Sequence, residues 1–216
     1  MDELLKKIDE SQIMLASRLQ NLISSGKGLE LEAYIRYLSM QYHLTNGVQR
    51  HFLMVASHPD MHKLKSLREF LVNFAYEEEL HYLIALKDVE ALNRDVNPCC
   101  LDVKLWKSYF DKIVIDKPFI RLGATCILEN ITGKSGKLLD ELLQNCEFST
   151  TRNTRFLTIH RHEELPHGEQ IIQVLRDSKI NDAQMNDLIQ GAYEGTIMFL
   201  RMIDWSLNGD SLQKNI

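Results

Sequence analysis

In the stretch IHRHEELPHGEQ, His160, Glu164 and His167 are spaced i, i+4 and i+7. At about 100° per residue on a helix they fall within an arc of about 60°. One helix can then aim two imidazoles and a carboxylate at one point, which is metal-ligand chemistry. His162 falls roughly opposite and reads as solvent-facing. HEELPH departs from the zinc-protease H-E-x-x-H pattern, because Pro166 stands where the second histidine should be. Pro166 and Gly168 also read as weak points in a helix, costing about 3 and about 1 kcal/mol at interior positions.

Two further segments carry ligand types. In AYEEELHYLIAL, Glu78 and His81 are i, i+3, and Glu77 and His81 are i, i+4; either pair shares a helix face. An E-x-x-H step on an apolar helix is the form used in carboxylate di-metal bundles. Glu129, in GATCILENITG, follows the mostly apolar stretch 119–128. A carboxylate there needs a partner, which a metal, Arg121 or the surface would supply. Mixed imidazole and carboxylate donors suit iron or manganese, whereas structural zinc usually recruits cysteine. The cysteines (Cys99, Cys100, Cys126 and Cys146) lie outside this set and form no C-x-x-C pair.

These residues need long helices to position them. Apolar residues recur at three and four, β-type alternation is almost absent, and prolines are few. The pattern predicts seven helices and no strand. They cover about residues 4–22, 29–56, 63–92 (with room for one break), 101–115, 118–146, 151–178 and 181–207. Pro118 suits a first helical turn and Asn181 an N-cap. Such helices in one domain over 1–216 imply an all-α bundle with sites built between helices.

A net charge of −5 and alternating charge signs give no electrostatic case for nucleic acid. No run approaches a membrane span. The polar N-terminus and unpaired cysteines lead to the expectation of a cytoplasmic protein with free thiols.

The order Glu/His, Glu, then H-x3-[DE]-x2-H, with its inter-motif spacings, resembles the haem-oxygenase-like di-iron oxidases, relatives of the TenA, PqqC and CADD-like proteins. That resemblance covers nearly the whole chain. It implies a seven-helix haem-oxygenase-like bundle, a homodimer, and a non-haem iron pair that activates dioxygen to oxidise a small organic substrate. The ligands it implies are Glu78, His81, Glu129, His160, Glu164 and His167, with Glu77 as alternate. Many members place the first glutamate seven residues before its histidine. That position here is Phe74, so Glu78 or Glu77 must substitute. Two other readings compete. One is metal-independent TenA-like hydrolysis through Cys126, and the other a non-catalytic helical interaction protein. Glu194 is a candidate pocket acid, and Tyr42, His43, Tyr76 and Tyr82 are candidate lining. His51, His58 and His62 are expected to be exposed.

Overall fold

The computed structural model describes residues 1–26, 28–159 and 166–210. Among these, every regular element is helical: α1 Asp2–Ser24, α2 Leu31–Thr45, α3 Val48–Ser57, α4 Lys65–Glu78, α5 His81–Ala91, α6 Leu101–Asp116, α7 Pro118–Asn130, α8 Gly136–Gln144, α9 Arg155–Thr158, α10 His167–Asp177 and α11 Asp182–Asn208, with a 3-10 turn at Pro59–Met61. The all-α class matches the sequence expectation. The number of segments differs from seven because four of the long helices are broken.

Each break has a local cause. Gly47 sits at φ +83, a left-handed conformation that glycine adopts without steric cost, and it divides the second predicted helix into α2 and α3. Leu80, at φ −111 and ψ 6, ends the helical path between α4 and α5. The turn from Ile131 to Ser135 separates α7 from α8. Pro166, at φ −58 and ψ 145, is extended and stands immediately before α10. Where the sequence suggested an unbroken end, the chemistry matches: Asn181 caps α11 in a reciprocal box with Gln184.

α7 is the axis of the bundle. All ten residues from Pro118 to Ile127 are buried, so this helix is covered on every side. It packs against α11, α6, α10, α3 and α1. Its contact with α11 is backbone to backbone. A Cβ at Gly123 would lie 2.0 Å from the Leu188 carbonyl oxygen, and one at Gly191 would lie 1.9 Å from the Ile120 carbonyl oxygen. A Cβ at Gly195 would meet Ala124 Cα at 2.9 Å. Glycine is required here for space, since only its absent side chain lets the two helices touch.

Gly191→Val therefore has to separate α7 from α11. The expected outcome is a loss on the order of 3 kcal/mol, read as a lower denaturant midpoint. A surface substitution on α11 such as Gln190→Ala serves as the near-neutral control.

Candidate functional site

Three helix ends meet at one place. Glu78 is the last residue of α4, His81 the first of α5, and His167 the first of α10. Glu129 lies in the last turn of α7. The break at Leu80 folds His81 back so that its Nδ1 lies 2.6 Å from Glu78 Oε2. His167 Nδ1 lies 3.0 Å from Glu78 Oε1 and 3.9 Å from Glu129 Oε2, and its Nε2 lies 3.2 Å from Glu77 Oε2. Glu78 thus bridges two imidazoles. One potential ligand atom from each of Glu78, Glu129 and His167 lies within 4.8 Å of the others.

The electrostatics are self-consistent. Glu78 is 6% exposed and His167 7%. Burial opposes the charge on Glu78, but hydrogen bonds from His167 and His81 outweigh it and hold its carboxyl down, at about 2. An ionised carboxylate only accepts, so His81 Nδ1 is the donor in its 2.6 Å bond to Glu78. Phe74 closes one side of the cluster, its ring edge-on to His167 with centroids 4.7 Å apart. The position where many members of the resembled family carry a glutamate is thus a hydrocarbon wall against the imidazole.

α10 reaches Glu129 because residue 168 is glycine. A Cβ there would lie 2.5 Å from Asn130 Oδ1 and 2.6 Å from the Glu129 carbonyl oxygen. Asn130 Nδ2 donates to the carbonyls of both Cys126 and Gly168, at 2.8 and 3.2 Å, tying the end of α7 to the start of α10. This corrects the reading of Pro166 and Gly168 as weak points inside one helix. Pro166 precedes α10, where its missing N–H costs nothing, and Gly168 permits a close contact. It also means that His167 does not share an unbroken helix with His160 and Glu164, since Pro166 is not helical. His160 and Glu164 themselves lie outside the described residues.

The cluster opens on a cavity of about 670 Å³. Glu78, His81, Glu129 and His167 line one part of it, and His51, Phe52, Trp106 and Arg121 another. Of the two alternates on α4, Glu78 faces inward, while the Glu77 side chain is 54% exposed and reaches only the outer nitrogen of His167. Cys126 is fully buried among core residues and does not line this cavity; burial pushes its thiol up to about 12, away from nucleophilic chemistry. Glu194 is engaged elsewhere, accepting from the Tyr109 hydroxyl at 2.6 Å and from Gln190 at 2.9 Å. Tyr76 is exposed, Tyr42 packs edge-on to Tyr82, and His43 bonds the Asn97 carbonyl. The lining from α2 comes instead from Tyr37, Gln41, Leu44 and Thr45.

His51 contradicts the expectation of exposure. It is 6% exposed, with Nε2 2.5 Å from Asp111 Oδ1. The expectation failed because the break at Gly47 was not anticipated; the Asn46-Gly47 pair, a turn signal, was the available clue. Burial, and next the positive charge of Arg121, lower the His51 pKa to about 4.

Among solved structures, the chain is similar to a domain of unknown function with a haem oxygenase-like fold from Shewanella denitrificans OS217. The TM-score is 0.78 at 17% identity, covering 94% of this chain and 91% of that one. Family models and curated proteins give no match. The chain therefore has the haem-oxygenase-like all-α fold that the family resemblance implied, and the likeness speaks to fold alone. Among the described residues, no helix is long and apolar enough to cross a membrane.

Two measurements check this description. Gly168→Ala should push α10 off α7 and lower stability by about 1–3 kcal/mol, seen as a shifted denaturant midpoint with unchanged slope. The His51 ring should titrate near pH 4 by NMR, against an ordinary value of 6.5. Because the folded value is the lower one, stability from this site is present above pH 6.5 and declines as pH falls toward 4. A midpoint at or above 6.5 would contradict the buried neutral imidazole.

Proposed function

We propose that this chain is a non-haem iron oxidase or oxygenase that uses dioxygen to oxidise a small organic substrate. The observation that carries the reading is the convergence of Glu78, Glu129 and His167, with His81 behind Glu78, on the wall of a cavity large enough for a small molecule.

The donor set fits the metal. Carboxylate oxygens and imidazole nitrogens are the donors that iron and manganese accept together, and no thiol enters the cluster. Glu78, Glu129, His167 and His81 would hold the ions. His160 and Glu164 complete the set implied by the family resemblance. Bound iron supplies the electron transfers by which dioxygen, otherwise inert toward C–H bonds, becomes an oxidant. The chain's own residues do the rest. Glu78 and Glu129 bring negative charge into an apolar wall. Phe74 and Phe52 present hydrocarbon and exclude water from the site. Asn130 and Gly168 hold His167 in register with Glu129.

The test is metal analysis after anaerobic loading with ferrous iron and removal of free metal. About two irons per chain are expected, as in di-iron bundles. Glu78→Gln, His167→Ala and His160→Ala should each weaken uptake at least about 10-fold while the helical signal persists. Wild-type protein that is folded yet takes up neither iron nor manganese would sink the proposal.

A further inference from the structure

A second, smaller cavity, of about 60 Å³, lies among α1, α2, α8 and α11. Leu15 and Leu19 are i, i+4 on α1, and Leu139, Leu142 and Leu143 are i, i+3, i+4 on α8, so each helix turns a leucine stripe into it. Four of its lining residues carry a polar side-chain atom. Tyr34 donates to the Asn153 carbonyl at 2.6 Å, Ser206 donates to the Met202 carbonyl at 2.9 Å, and the Tyr37 hydroxyl accepts from Gln41 at 3.1 Å. The fourth, Thr132, also lines the larger cavity. Among the described residues, no buried polar side-chain atom of this lining is left unpaired. A buried water needs about two to four polar partners, so the space suits an apolar occupant. An apolar cavity of about 150 Å³ holds benzene or xenon, and this one is less than half that size, which limits the occupant to a small gas molecule.

We propose that this chamber holds dioxygen and supplies it to the larger cavity. Dioxygen is apolar and two atoms long, so it favours a leucine-lined space over water. The two cavities share Tyr37, Thr132, Leu139, Leu157 and Phe199, so they lie side by side. A diatomic that crosses this common wall enters the space onto which Glu78, Glu129 and His167 open. The larger cavity has charged groups in its lining, among them Lys137, Asp140 and Arg121, and suits a polar molecule. The two reactants of an oxidase thus have separate places to wait. Close packing leaves few voids in a protein interior, and each one lowers stability. A void that is dry, and too small for an organic substrate, has a use beside a site whose co-substrate is a gas.

That the gas is consumed rests on the oxidase reading, but gas binding is measurable without metal. The full chain, stripped with a chelator and methyl-labelled at leucine, is observed by NMR under xenon, under dioxygen and with benzene. Xenon should shift the methyls of Leu15, Leu19 and Leu142 saturably. Dioxygen is paramagnetic and should speed the relaxation of these methyls beyond that of Leu67 and Leu71, which are fully buried elsewhere in the core. Benzene should give no saturable shift. Leu142→Phe fills the chamber. It should abolish the xenon shifts at Leu15 and Leu19 and slow dioxygen consumption by the ferrous-loaded protein several-fold, with iron uptake unchanged. Leu19→Phe fills the same space from α1 and serves, read at Leu15 and Leu142, if the first variant does not fold. Equal relaxation at Leu67 and Leu71, xenon shifts that survive the filled chamber, a saturable benzene response, or undiminished dioxygen consumption by a folded variant would each overturn the assignment. Xenon and dioxygen signals with no iron uptake by wild type would instead sink the oxidase reading and leave the gas chamber standing.

Discussion

The structure depends on one close contact, that of α7 with α11. The carbonyls of Ile120 and Leu188 occupy space that any side chain at Gly191 or Gly123 would need. Helices that approach this closely have few alternative registers, since a slide would drive a carbonyl into a Cβ. α7 is thereby fixed along its length, and two chemically loaded positions are fixed with it: Arg121 near its start and Glu129 near its end. The cavity is arranged along a rod that the rest of the bundle holds still.

The cluster at the end of that rod is built from helix termini. Glu78, His81 and His167 each sit at a helix boundary, where the chain changes direction and side chains from separate segments can converge. A continuous helix from Lys65 to Ala91 would have placed Glu78 and His81 on one face, but it would not have folded the imidazole onto the carboxylate in the same way. Breaks that interrupt the secondary structure are what allow the polar groups to meet. Asn130 repeats the theme at the α7–α10 junction, bonding the carbonyls of both helices.

Much of this was legible in the sequence, for stated physical reasons. Three- and four-residue periodicity marked the helices, and Asn181 marked the start of α11. A glutamate after ten mostly apolar residues marked Glu129 as a group needing a partner. The breaks were harder. Asn46-Gly47 is a turn signal that was legible and outweighed by the surrounding periodicity, and missing it misplaced His51. The break at Leu80 has no local marker, since nothing in EEELHY disfavours helix; packing decides it. Gly168 was visible but misread, because a glycine that weakens a helix and one that admits a neighbour look identical until the neighbour is known. Arg121 was visible too, as the charged residue in PFIRLGATCIL. Its burial among three aromatic rings is a fact of three dimensions.

His167 has a carboxylate at hydrogen-bond distance from each of its ring nitrogens. Both carboxylates come from successive residues at the end of α4, so α10 is clasped to α4 through one imidazole as it is to α7 through Asn130. A displacement of α10 would have to carry the tip of α4 with it.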